Sequence, residues 1–235
     1  GDNLVLTIDI DFQKEIEQIA TDFLNSNVDS YNDRIYIVAS DPNTGEILGM
    51  TGKQRSTSNE IVDDALGVIN SSYGMGSAVK GAMVLTGYMS GVISADNNVL
   101  VDEPLQFQGS NPKKSVFNPT IGNQVAINDI EALARSSNVY MIKLAMLMGG
   151  QSTYESGGTL NISPDLIDEL RSYFAQFGLG VKTGIDLPNE GSGLTGFSQA
   201  AVNVVDQSFG QYDLYTTLQL SQYINTIANG GTRYA

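Results

Sequence analysis

The apolar positions of this chain change period several times, and each change marks an element. Leu4-Val5-Leu6-Thr7-Ile8 is a β-rich run that reads as a strand. Asp9 or Asp11 then stands as a helix cap. Phe12, Ile16, Ile19, Ala20, Phe23 and Leu24 follow at helical spacing, giving an amphipathic helix to about Asn25. Arg34-Ile35-Tyr36-Ile37-Val38-Ala39 reads as a strand, Asp41-Pro42-Asn43-Thr44-Gly45 as a turn, and 46–50 as the returning strand of a hairpin. Residues 52–70 are polar and read mostly as loop. An apolar helix is expected over 77–89, and irregular structure with short extended pieces such as 104–107 over 97–123.

Helical spacing resumes after Asn128, breaks at Ser136-Ser137-Asn138, and continues over 139–148 to Gly149-Gly150. Ser163-Pro164 caps another helix that carries Leu166, Leu170, Tyr173, Phe174 and Phe177 on one face. Residues 189–198 read as loop. A last helix begins at Thr216 or Thr217, with Leu220, Tyr223, Ile224 and Ile227, and stops at Gly230-Gly231. Helices dominate, strands cluster at the start, and no composition shift marks a linker.

Composition narrows the class. With 235 residues, 41% hydrophobic and 16% charged, the chain can bury a real core as one large domain or two small ones. Its 26 acidic against 12 basic residues give a net charge of −14, which repels phosphate backbones and argues against nucleic-acid partners. No stretch reaches the roughly 20 apolar residues of a membrane span. Cysteine and histidine are both absent, so there is no disulfide framework, and the usual zinc ligands are missing. Gly1 stands in place of an initiator Met, and the chain reads as an excised or processed piece.

The missing His and Cys also shape the candidate chemistry. Ser77 and Lys80 stand where Gly74-Met75-Gly76 gives way to the apolar stretch, and residues three apart share a helix face. With no imidazole and no thiol, a Ser–Lys pair is the route still open to acyl chemistry. Lysine can take the serine proton only if its pKa of about 10.4 is lowered, as burial does. On spacing alone the pair also reads as an ordinary helix-start serine followed by a lysine. Ser110-Asn111-Pro112-Lys113 repeats the spacing, but with proline third and no apolar helix behind it. Ser136-Ser137-Asn138 offers a second hydroxyl and an amide. By itself it reads as a helix–helix corner, and Ser30-Tyr31-Asn32 has the same form at what reads as a surface turn.

The order of these elements carries more than either one. Ser-x-x-Lys, then a Ser-x-Asn element, then Lys-Thr-Gly is the motif order of penicillin-binding proteins and class A β-lactamases. The chain resembles the transpeptidase domain of class B penicillin-binding proteins of the Gram-positive type. Besides the two motifs, the resemblance rests on Leu6-Thr7-Ile8-Asp9 with Gln13, Asp41-Pro42-Asn43-Thr44-Gly45-Glu46-Ile47-Leu48 and Tyr73 to Lys80. It continues in Gly178-Leu179-Gly180, Thr183-Gly184-Ile185-Asp186-Leu187-Pro188, Thr217-Leu218-Gln219-Leu220 and Ile227-Ala228-Asn229-Gly230-Gly231.

That resemblance implies an α+β fold of the serine transpeptidase and β-lactamase type: a mostly helical subdomain plus an incomplete antiparallel sheet, residues 1–235 forming one domain without its C-terminal part. It implies Ser77 as the acylated nucleophile, its backbone N–H as half of an oxyanion hole, Lys80 as base, Ser136 as proton-relay hydroxyl and Asn138 as ligand of the substrate peptide amide. The implied activity is peptidoglycan D,D-transpeptidation without a cofactor. The implied partners are stem peptides, β-lactam antibiotics and, for the parent protein, cell-division or elongation membrane proteins. The implied location is the extracellular face of the bacterial cytoplasmic membrane, through an N-terminal anchor absent from this chain. Lys182-Thr183-Gly184 spells the third motif but falls in the family's Thr-Gly-Ile-Asp-Leu-Pro stretch, away from the active site. The family's own Lys-Thr/Ser-Gly follows the Ala-Asn-Gly-Gly element and is expected beyond Ala235, so the isolated chain is expected to be an impaired enzyme. The other readings are a β-lactamase or D,D-carboxypeptidase, against which no acid beside the motifs can be assigned as a deacylating base, and a penicillin sensor or non-catalytic wall-binding scaffold.

Overall fold

The computed structural model describes residues 3–29 and 31–235, so the turn expected at Ser30 lies outside the described residues. Helices α1 (Ile10–Ser26) and α2 (Gly67–Asn70) frame strands β1 (Arg34–Ser40), β2 (Ile47–Arg55) and β3 (Ile61–Asp63). After β4 (Ser72–Tyr73), a 3₁₀ turn at Gly76–Val79 runs into α3 (Lys80–Met89). Then come β5 (Leu100–Asp102), β6 (Val125–Ile127), α4 (Asp129–Ala134), α5 (Asn138–Met148) and α6 (Leu166–Gln176). The chain finishes with α7 (Ala201–Gln207), β7 (Tyr215–Thr216) and α8 (Thr217–Ala228). The architecture is α+β, helices with small antiparallel sheets. It divides into two compact units, both discontinuous in sequence: 1–73, 176–194 and 215–235 in one, 74–175 and 195–214 in the other.

The first unit is built on the antiparallel sheet β1-β2-β3, with β2 central. Asp9 caps α1 by accepting from the N–H groups of Asp11 and Phe12, both at 3.0 Å. Ile16, Ala20 and Leu24 turn inward at the i, i+4, i+8 positions. The Gln13 amide grips the backbone of β2 from both ends, donating to Met50 O and accepting from Met50 N, each at 2.9 Å. Val68, Ile69 and Leu218 form a second core with Tyr36, Val38, Ile47, Met50 and Ile185. A capping box, Thr216 with Gln219, starts α8.

Two expectations fail in this unit. Leu4 to Ile8 forms no strand. Leu4, Val5 and Leu6 are largely exposed, and the segment is tied to the start of β2 by Thr7 Oγ1 to Ile47 O (2.6 Å), with Asp9 N to Leu48 O (3.0 Å) just after it. The region read as loop after Gly52 instead continues β2 to Arg55 and supplies β3 and α2. Its polar letters misled because Gly52 to Gln54 pairs on one side with Arg34 to Tyr36, and Lys53 to Arg55 on the other with Ile61 to Asp63, so ladder bonds rather than apolar burial hold it.

The second unit is organised around α5. Val139, Tyr140, Met141, Ile142, Leu144, Ala145 and Met146 are all buried, so this helix is apolar nearly all round. Helix α3 crosses it closely. A Cβ on Gly87 would lie 3.1 Å from Leu144 Cδ2 and 3.2 Å from Ile93 Cδ1, so the small residue sets the spacing of the two helices. Strands β5 and β6 pair, antiparallel, β5 being a short extended piece inside the stretch 97–123 read as irregular and β6 lying just beyond it, and α7, too short to show a period, also packs on α5. Among the described residues, no helix is long and apolar enough to cross a membrane.

Candidate active site

The site lies within the second unit and starts from backbone geometry. Gly76 adopts a left-handed φ of +53° and opens the 3₁₀ turn that presents Ser77. Its N–H donates to Gly210 O at 3.1 Å. Gly210 is itself left-handed (φ +79°), and a Cβ there would stand 2.2 Å from Gly76 O. The serine turn therefore rests on a position that only glycine fills. Ser77 is exposed. Neither its hydroxyl nor its N–H makes a hydrogen bond to another described residue, as expected for a residue in the first turn of a helical segment.

Lys80 begins α3 and is 2% exposed, a rare environment for an ammonium. Its Nζ donates to Ser136 O at 2.7 Å, Ser136 Oγ at 2.9 Å and Asn138 Oδ1 at 2.7 Å. Three donors meet three acceptors, so the charged form is fully satisfied. Burial nonetheless pushes the pKa down to about 8, with the negative charge of Asp102 opposing the shift.

The corner that receives Lys80 is strained and then capped. Ser136 carries φ +52°, unusual for a residue with a Cβ. Ser137 is the N-cap of α5, its hydroxyl accepting from Tyr140 N at 2.9 Å. Asn138 accepts from Lys80 with one amide atom and donates to Lys114 O at 3.0 Å with the other. The structure thus brings together Lys80, Ser136 and Asn138. Ser77 stands one turn before Lys80 on the same segment; the Lys80 backbone N–H donates to Ser77 O, and no hydrogen bond is formed between the two side chains.

Sequence reading missed the groups behind this corner. Asp102, Ser115, Asn118 and Ser137 are all at most 1% exposed. Asp102 ends the otherwise apolar β5, at a position whose inward orientation is the signal that an acid there has buried partners. An acid lies behind the motifs, with both its carboxylate oxygens engaged by Ser115, Ser137 and Asn118. Lys182-Thr183-Gly184 is on no strand. Thr183 donates its hydroxyl to Glu190 Oε1 at 2.6 Å and is part of a loop of the first unit.

The chain is similar to proteins of one family. The family "Penicillin binding protein transpeptidase domain" matches residues 35–235. The chain is 47% identical over 242 residues to penicillin-binding protein 2A of Bacillus subtilis (strain 168), covering 99% of this chain and 33% of that protein. It is 28% identical over 198 residues to the peptidoglycan D,D-transpeptidase FtsI of Escherichia coli (strain K12), covering 81% and 30% respectively. The solved structure of penicillin-binding protein 2B from Streptococcus pneumoniae (strain 5204) superposes with a TM-score of 0.91 at 37% identity, over 99% of this chain and 39% of that one. The chain thus spans about a third of the length of the curated relatives it matches.

Proposed function

We propose, because the chain belongs to the penicillin-binding protein transpeptidase family and is of the class B type, that it carries the acylation site of a peptidoglycan D,D-transpeptidase, with Ser77 as nucleophile and Lys80 as base. The observation that carries this reading is Lys80: buried, held by Ser136 and Asn138, and with its pKa lowered to about 8. A neutral amine has two N–H groups and one lone pair, so on deprotonation one of its three contacts must change. The Ser136 hydroxyl can reverse and donate to Nζ, which leaves Ser136 suited to relay a proton.

In this reading Ser77 Oγ bonds to the carbonyl carbon between the two terminal D-alanines of a stem peptide while its proton passes to Lys80. The Ser77 N–H receives the oxyanion. The proton reaches the departing amine through Ser136, the C–N bond breaks, and the last D-alanine leaves. An amine of a neighbouring strand then attacks the ester and frees Ser77. Asn138 holds the peptide amide. A β-lactam follows the same first step, its ring C–N bond breaking with the leaving nitrogen still tethered. The work is done at the outer face of the cytoplasmic membrane, alongside division or elongation proteins. Asp102 offers no free oxygen to activate a deacylating water, which disfavours a β-lactamase.

The test is labelling of the natural-length protein with a fluorescent penicillin, followed by peptide mapping. One persistent adduct at Ser77, absent from Ser77→Ala, is expected. Rapid release would indicate a hydrolase, and an adduct without cross-linking of a donor and an acceptor peptide would indicate a sensor. No adduct at Ser77 would refute the assignment.

A further inference from the structure

We infer that Asp102 is a positioning residue for acylation: it holds Ser136 and Asn138 against Lys80 by terminating the hydrogen-bond network that caps α5. The inference rests on the acylation reading above.

The first N–H groups of a helix have no partners within it. In α5, Asn138 N and Val139 N donate to Ser115 Oγ at 3.0 and 3.3 Å, and Tyr140 N donates to Ser137 Oγ at 2.9 Å. Ser115 therefore has both acceptor sites occupied and must send its own proton elsewhere. It sends it to Asp102 Oδ2 at 2.6 Å, and Ser137 donates to the same oxygen. Asn118 Nδ2 donates to the other oxygen, Oδ1, at 3.1 Å and to Asp102 O at 2.8 Å. Ser115 Oγ and Ser137 Oγ also lie 3.2 Å apart, so either hydroxyl can donate to the other, but whichever does, the remaining hydroxyl donates to Asp102, and the network ends there.

A carboxylate is the side chain for this position, because it accepts from all three donors and carries negative charge beside a helix N-terminus. An amide of the same shape would place an NH₂ against some of the donors. Turned toward the two hydroxyls, that NH₂ would make them reverse and release the N–H groups of Asn138, Val139 or Tyr140; turned toward Asn118, it would break the bond that holds the other end of the carboxylate. Asn138, Val139 and Tyr140 are the residues whose backbone fixes the Asn138 side chain and, one step upstream, the left-handed Ser136. Asp102 thus acts on Lys80 at one remove, and it is the ionisable group whose charge acts on Lys80 among the described residues.

Positioning and charge make opposite predictions, which gives a direct test. Removing the Asp102 charge alone would let the Lys80 pKa fall further and speed acylation at pH 7. Loss of positioning slows it. The second-order rate of penicillin acylation is measured from pH 6 to 10 for the natural-length protein, Asp102→Asn and Ser115→Ala, with the folded fraction of each followed by thermal unfolding. Both variants are expected to acylate Ser77 about 10- to 100-fold more slowly at pH 7. In Ser115→Ala, which keeps the charge, the rising limb should also move to higher pH as Lys80 gains water. Asp102→Asn faster than wild type at pH 7 would overturn positioning in favour of charge. Rates unchanged once corrected for folded protein would overturn it in favour of a purely structural role. Wild-type protein that forms no Ser77 adduct would instead fail the acylation reading itself, and is seen separately.

Discussion

At the scale of single residues, the proposed chemistry depends on one buried amine, Lys80. Its three acceptors satisfy the ammonium, yet burial holds the pKa near 8 against an ordinary 10.5. The depressed value has a sign for stability. Between pH 8 and 10.5 the unfolded chain binds the proton that the folded chain has lost, so folding stability rises with pH across that window. The contribution amounts to about 3 kcal/mol. Thermal unfolding at pH 7 and pH 10 is expected to show this rise in the native protein and not in Lys80→Met. Ser77, Lys80, Ser136 and Asn138 could be proposed from the sequence because their motifs keep the family's order, whereas on spacing alone they read as a helix start and a helix–helix corner. Asp102 could not, because its role comes from partners 13, 16 and 35 positions away that β5 and α5 bring together.

At the scale of elements, caps and glycines decide where the functional residues point. The helix starts at Asn128 and Thr216 were readable, since a capping box is a local code: Asn128 with Glu131, Thr216 with Gln219. Asn128→Ala is expected to cost about 1 kcal/mol, read as a lowered unfolding temperature. The second half of β2 was not readable, since its polar residues are held by ladder bonds on both sides. The role of Gly210 was hidden for a similar reason. Its need for glycine comes from Gly76, far away in sequence, at the serine turn. Gly210→Ala would place a Cβ against Gly76 O and demand a left-handed φ as well. It is expected to lower the acylation rate by at least tenfold through displacement of Ser77, a far larger loss than Gly230→Ala, where the added carbon meets nothing.

At the scale of the whole molecule, each compact unit is assembled from separated stretches, which periodicity cannot reveal. One clamp shows how the second unit closes on itself. Arg171 of α6 grips Asp213 through Nε (2.8 Å) and Nη2 (2.9 Å) and also donates to Gly196 O at 3.0 Å. Gly196 N returns a bond to Asp213 at 2.8 Å. Asp213 is 1% exposed, so Arg171→Ala leaves a buried charge unpaired and is expected to destabilise the unit by about 3–5 kcal/mol in denaturant unfolding. The family could be read from the sequence because its motifs keep their order along the chain, whereas the closing contacts pair residues with no local signature. The central claim is that Lys80, in its neutral form, activates Ser77. The most direct test is the rate of Ser77 acylation by a penicillin as a function of pH, in the natural-length protein and in Lys80→Ala. A rising limb with a midpoint near pH 8 is expected, and it disappears, together with most of the rate, in Lys80→Ala. A profile flat through pH 8, or a Lys80→Ala protein acylated as fast as the native one, would contradict it.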